Sequence, residues 1–179
     1  FVAHGYHAAA MDDIADRAGV SKPVLYQHFP GKLDLYLALL DTSSDALLAS
    51  LDDALGSTTD NKLRVTAAVG AYFDFVDDPG GAFRLIFESD LTNEAAVRAR
   101  VDRVNDSCAA ALAKVIVEDT GLNDAEATML AAGLLGMAQT AARHWLREDG
   151  RIPKQEAARL VGSLGWRGIS SFPLSHPPA

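Results

Sequence analysis

Apolar positions recur at three- and four-residue spacing along nearly the whole chain, and no stretch shows the strict alternation of a half-buried strand. Met11, Ile14, Ala15 and Ala18 share one face of a short helix over 11–18, and Gly19 is placed to end it in the left-handed region. Val20 is expected to plug the corner that follows. Ser21 is positioned as the N-cap of a second helix, with Pro23 in its first turn, where a missing N–H costs nothing. In that helix Val24, Leu25 and Phe29 are expected to face inward, leaving Lys22, Pro23, Tyr26, Gln27 and His28 outside. A leucine stripe (Leu33, Leu37, Leu40, Leu47, Leu48, Leu51, Leu55) predicts a long helix over 32–55, ended by the Gly56 to Thr59 segment. Further helices are predicted over 61–76, 82–89 and 93–120. The first of these is closed by the turn cluster Asp77-Asp78-Pro79-Gly80-Gly81. Gly121 suits a C-terminal cap, and Asn123 with Glu126 forms a capping-box pattern that opens a helix reaching about 149. Gly150 stops that helix, and Pro153 begins a last one to about 171. The fold class is all-α.

Two short helices joined by a tight turn and followed at once by a longer one make a helix-turn-helix, which sets its second helix in the major groove of DNA. Lys22 and Lys32 suit phosphates, Tyr26 and His28 can donate to phosphate oxygens, and Gln27 can read a base edge; Pro23 shares their outward face. The plainer alternative is a solvated helix face with ordinary polar residues.

The run Gly5-Tyr6, Ile14-Ala15, Ala18-Gly19-Val20-Ser21, Leu25-Tyr26, His28-Phe29 and Lys32 resembles the DNA-binding domain of the tetracycline-repressor (TetR) family over about the first forty-five residues. The resemblance implies a dimeric, all-helical transcriptional regulator that reads a palindromic operator and whose second domain senses a small molecule. It also implies operator contacts at Lys22, Tyr26, His28 and Lys32. Two departures stand out. Ala8-Ala9-Ala10 replaces the threonine or serine that usually caps the first motif helix, a loss of roughly 1 kcal/mol, although Asp12 and Asp13 still suit that helix's positive end. The chain also opens at Phe1, and Phe1 to His4 read as the last turn of a preceding helix, so the sequence is expected to be a fragment lacking most of it. The expected division is a helix-turn-helix domain over 1–45, a ligand-sensing and dimerisation domain over 46–172, and a disordered tail over 173–179.

The 179 residues are nearly half hydrophobic, enough for a packed core, and contain no apolar run long enough to span a bilayer and no secretory signal. The single cysteine, Cys108, excludes an internal disulfide framework; it suits the cytoplasm and is expected to be a small core filler. A net charge of −8 argues against a general nucleic-acid binder. Residues 1–45 set Arg17, Lys22 and Lys32 against six aspartates, a balance of −3, so DNA must meet a local cationic edge. Missing N-terminal residues are expected to supply part of that edge.

Residues 129–142 are apolar nearly all round, so that helix must be covered on most sides, with Gly133 and Gly136 allowing close approach. The last helix offers Ala157, Leu160, Val161, Leu164, Gly168 and Ile169 on one stripe. Together they suit a four-helix dimer interface, for which Leu134, Met137, Ala141, Trp145, Leu160, Val161, Leu164 and Gly168 are the candidates; a deeply buried helix in a monomer is the alternative. Five aromatics crowd into sixteen residues: Tyr72, Phe73, Phe75, Phe83 and Phe87. Tyr72, Phe75, Phe83 and Phe87 are candidate walls of an apolar pocket, with Asn105, Thr140 and His144 as its polar anchors; an ordinary aromatic core is the alternative.

His4, His7, His28, His144 and His176 form no metal-ligand spacing, and there is no strand for a phosphate loop to follow. The acid pairs Asp12-Asp13, Asp52-Asp53 and Asp77-Asp78 fit helix starts and turns. No cofactor and no enzymatic activity is expected. The function expected is a ligand-responsive regulator, a repressor released from its operator by an apolar or aromatic small molecule. A helical small-molecule binding protein without regulatory DNA binding is the alternative.

Overall fold

The computed structural model describes residues 1–88, 90–91, 93–148 and 151–169. Among them are nine helices and no strand: α1 (Gly5–Ala8), α2 (Met11–Ala18), α3 (Lys22–His28), α4 (Lys32–Gly56), α5 (Asn61–Val76), α6 (Ala82–Phe87), α7 (Ala95–Thr120), α8 (Asp124–Arg147) and α9 (Lys154–Ile169). Most boundaries coincide with chain chemistry. Gly19 and Gly121 close α2 and α7 at φ 67° and 69°, the left-handed region where glycine is least strained. The Asn123 side chain accepts from the Glu126 N–H, and the Glu126 carboxylate accepts from the Asn123 N–H, each at 3.0 Å, a complete capping box for α8.

Several expectations needed correction. α2 begins after Ala10 with no side-chain cap, as its alanines imply, but Ser21 also makes no capping bond to α3. α7 starts at Ala95 rather than Asn93, because the Glu94 carboxylate takes up the Ala96 N–H. α6 ends at Phe87 and α8 at Arg147. The ends anticipated at 89, 149 and 171, the Gly150 stop and the 173–179 tail lie outside the described residues.

Two apolar clusters divide the packing. A small one joins Met11, Ala15, Leu25 and Leu35, with Ile14 and Phe29 against it. Val20, Val24 and Ala18, expected inside or on the buried face, are exposed. Such short helices give this small cluster one narrow stripe each, and residues a little off that stripe reach solvent. The large cluster runs from Tyr36 to Ala158 around the fully buried Leu40, Leu47, Phe73, Phe83 and Val104. Packing therefore changes hands within one turn of α4, between Leu35 and Tyr36, and Phe1 touches both clusters. In the larger bundle α7 lies chiefly on α8 and α5 on α9, with α4 against α5 and α7. No helix of the described residues is long and apolar enough to cross a membrane.

Cys108 is buried in this bundle, as a filler would be. Burial, with Asp52 acting in the same direction, pushes its thiol from an ordinary 9.0 up to about 11. A thiol held protonated by folding contributes its full stability below 9.0 and loses it as pH rises through about 11, because the unfolded chain ionises first. Cys108→Ala should therefore remove part of the alkaline loss of stability across that window, as read from denaturant midpoints. In the native wild type, alkylation at neutral pH should be far slower than in denaturant.

Candidate nucleic-acid interface and ligand chamber

α3 presents Lys22, Pro23, Tyr26, Gln27 and His28 to solvent, because only Leu25 and the half-buried Phe29 turn into the small core. This leaves a polar, aromatic ridge on the second helix of the motif, the shape and chemistry a major groove accepts. The ridge is not electrostatically free. The Lys22 ammonium lies 2.8 Å from an Asp12 carboxylate oxygen on α2, and that hydrogen bond holds its pKa above the usual lysine value. A phosphate must compete with Asp12 for this charge.

Lys32 has a different setting from Lys22. Its Nζ donates to the carbonyls of Ala9 at 2.9 Å and His7 at 3.2 Å, and stands 4.6 Å from the centre of the Tyr6 ring. The carbonyl end of α1 attracts a cation. Lys32 thereby fastens residues 6–9 to the start of α4, and its charge serves this contact more directly than it serves an outer surface.

Inside the larger bundle, α4, α5, α7 and α8 line a narrow, open-sided hollow of about 50 Å³ walled by Leu47, Leu51, Val69, Tyr72, Cys108 and Leu135 among others. A second, of about 130 Å³, lies between Leu55, Ile116, Thr120 and Trp166. Val65, Leu112 and Leu134 wall both, so the two hollows adjoin along these side chains in one mostly apolar tract, the channel. Arg64 and Asp119 mark its far end, 3.1 Å apart. Arg64 is further engaged by the Thr58 carbonyl at 2.7 Å and Asn61 Oδ1 at 3.3 Å. A third hollow, of about 350 Å³, opens beside Phe87, Val101, Asn105, Gln139 and Arg143.

The sequence-based pocket residues are therefore dispersed. Tyr72 lines the channel, Phe87 and Asn105 line the third hollow, and Phe75 and Phe83 stack with each other and with Tyr72 at centroid separations near 6.5 Å. Thr140 and His144 are exposed. The inward stripe of α8 is Ala127, Ala131, Leu135, Ala138 and Ala142, and a residue two positions further on lies roughly 200° around the helix. Pattern reading missed Leu47, Leu51, Val65 and Leu112 as channel walls because a cavity-facing leucine reads like a core leucine. Gln139 and Arg143 carried a visible signal: both are polar residues within a helix that otherwise buries alanines.

The dimerisation candidates also divide. Leu134 and Met137 line the channel, and Trp145 packs on Phe73 at 5.8 Å while its indole N–H donates to the Ile152 carbonyl at 2.8 Å. These three are taken up within the chain, as is Val161, which lies against the core; Ala141 is half-buried. α9 turns Ala157, Ala158, Gly162 and Gly165 inward, where a Cβ on Gly165 would come within 3.0 Å of Met137. Leu160, Leu164 and Gly168 are left on its outer side. On α8 the outward series is Met129, Ala132, Gly133, Thr140 and His144. Met129 is 74% and Leu164 63% exposed, an unusual state for large apolar side chains.

The family model described as "Bacterial regulatory proteins, tetR family" matches residues 1–39, and the one described as "Tetracyclin repressor-like, C-terminal domain" matches residues 62–168. The HTH-type transcriptional activator FasR of Mycolicibacterium smegmatis is 47% identical over 175 residues, which cover 98% of this chain and 80% of that relative. The chain belongs to the TetR family. TetR-family proteins are DNA-binding transcriptional regulators, and that function class applies here. Among solved structures, the TetR-family regulator PfmR of Thermus thermophilus is similar with a TM-score of 0.66 and 26% identity, covering 93% of this chain and 92% of that one. FadR of Bacillus subtilis, solved in complex with stearoyl-CoA, shares the fold at a TM-score of 0.75 and 16% identity, covering 92% and 90%.

For this TetR-family chain the Asp12–Lys22 pair makes a direct prediction. Asp12→Asn should release Lys22 to phosphate and remove one repelling charge, tightening operator binding and steepening its salt dependence by about one counterion. Lys22→Ala should do the reverse in the same salt titration.

Proposed function

We propose that this chain acts as a homodimer that binds a palindromic operator through α3 and changes that binding when an elongated, apolar effector fills the channel between α4, α5, α7 and α8. The reading divides the chain as the sequence suggested, into a DNA-reading unit over 1–45 and a sensing and dimerising unit over 46–172. The observation that carries it is the channel's connection to the DNA-reading unit. Tyr72 in the channel wall meets Phe83 of α6. The Leu85 carbonyl of α6 accepts from the Tyr36 hydroxyl at 2.8 Å, and the Tyr36 ring meets Phe1 and Tyr6 edge-on at 5.2 and 5.4 Å. Asp90, just after α6, accepts from the Tyr6 N–H at 3.2 Å. A molecule that displaces Tyr72 therefore acts on residues fastened to the DNA-reading unit, and it shifts operator affinity by its preference for one arrangement over the other.

The channel walls favour a long hydrocarbon effector over a compact polar one. The FadR complex with stearoyl-CoA supports this, since the same fold there accommodates an acyl compound. The sign of regulation follows operator placement, and the identity with an activator, FasR, favours activation over the repression that the motif alone suggested. The dimer surface is assigned to Met129, Gly133, Gly136, Thr140 and His144 of α8 with Leu160, Leu164 and Gly168 of α9.

Gel shift with DNA upstream of the protein's own gene is expected to show a palindromic site preferred over competitor. Tyr26→Ala should weaken it roughly fivefold to tenfold; loss of sequence preference in wild type at low salt would overturn the regulator reading. Palmitate or its thioester should change the shift, while an aromatic probe of equal mass should not. Leu164→Glu, which places a charge on the outer face, should give monomers in sedimentation and a large loss of operator affinity with the helical signal preserved.

A further inference from the structure

Two buried polar atoms of the sensing unit, the Tyr72 hydroxyl and Arg143 Nε, have no hydrogen-bond partner among the described residues. Buried donors are nearly always satisfied, and an unsatisfied one costs stability unless another group arrives to accept it. Tyr72 is 5% exposed and forms part of the channel wall. Its ring meets Phe83 edge-on at 6.5 Å, and the Arg143 guanidinium stands 6.0 Å from the centre of the same Phe83 ring. Both residues thus border Phe83, Tyr72 from the channel and Arg143 from the third hollow.

Their neighbours do not resolve the deficit. The Gln139 amide nitrogen is given to Asn105 Oδ1 at 2.8 Å. Gln139 and Arg143 both ease ionisation of the phenol, yet no hydrogen bond of sound geometry closes on its oxygen. Asp102 borders the same hollow as Arg143, but the ion pairs of the described residues do not include one to Arg143. Among those residues its cation is countered by nothing stronger than the Phe83 face.

We propose that Tyr72 and Arg143 form a subsite for a carboxylate, the polar end of an effector whose hydrocarbon body lies along Leu47, Leu51 and Leu112. This rests on the apolar-effector reading above and adds the chemistry of the effector's head. A carboxylate accepts from both donors at once and supplies the missing counter-charge, and such charge-assisted bonds are the strong ones in a dry site. An alcohol of equal length offers a weaker acceptor and no charge. Burial raises the Tyr72 pKa, so the phenol remains a donor at neutral pH.

The test is direct binding to this chain without DNA, with palmitate, methyl palmitate and hexadecanol each kept below its aggregation concentration. Wild type should prefer palmitate to the two neutral chains by about tenfold or more. Arg143→Gln and Tyr72→Phe should reduce palmitate to the neutral level while leaving hexadecanol affinity alone, and Arg143→Lys should keep part of the preference. In the ligand-free protein Tyr72→Phe should leave the melting temperature unchanged or raise it, because it removes an unsatisfied hydroxyl. Equal binding of all three chains by wild type overturns the subsite while the channel reading stands. Binding of none overturns both. A lower melting temperature for Tyr72→Phe with its carboxylate preference intact assigns Tyr72 to the fold and overturns its role here.

Discussion

The hydrogen bond from the Tyr36 hydroxyl to the Leu85 carbonyl ties α4 to α6, and much else is arranged around it. Leu85 lies in the last turn of a six-residue helix, whose terminal carbonyls have no partners within the helix. Tyr36 of α4 supplies one from across the large core. Its ring at the same time floors the contact with Phe1 and Tyr6, and it is 2% exposed. One residue of α4 thus ties the segment before the helix-turn-helix, the long connecting helix and the short helix beside the sensing core. α4 is continuous across the change of core and contributes buried residues to both clusters.

Charge is arranged with similar economy near the DNA-reading ridge. Residues 1–45 carry three lysine or arginine side chains against six aspartates. Lys22 is held by Asp12 and Lys32 by backbone carbonyls, so both of these cations are already engaged within the fold. Phosphate attraction sets much of the affinity of DNA-binding proteins. For either cation to meet a phosphate it must exchange an intramolecular partner, and α3 offers shape and polar side chains more than net positive charge.

Most helix positions, the glycine and capping-box ends and the motif were legible because they depend on neighbours a few residues away, whereas Ser21 makes no capping bond and Glu94 caps α7 instead of the expected start at Asn93. Gly19, Gly121 and the Asn123–Glu126 box act within a single turn, and the structure has each in place. The division of apolar residues among core, cavity and outer surface was not legible in the same way. Leu134, Met137 and Trp145 look as suitable for an interface as Met129 and Leu164 do, because α8 is apolar almost all round and its pattern does not fix its rotation. That rotation is decided by packing on α5, α7 and α9, which turns Ala131, Ala138 and Ala142 inward and leaves Thr140 and His144 outside.

The sequence by itself determined an all-helical chain, a helix-turn-helix with its Lys22–His28 ridge outward, and membership of a regulator family recognisable from a few spaced residues. These are local properties, set by periodicity, capping and turn chemistry. The tertiary structure alone decided that Lys32 clasps α1, that leucines of α4 and α7 border a hollow within the core, and that Tyr72 and Arg143 both border Phe83 with the phenol hydroxyl and Nε unpaired among the described residues. Each of those depends on which helix lies opposite and at what rotation, and no interval along the chain encodes a void or an absent partner.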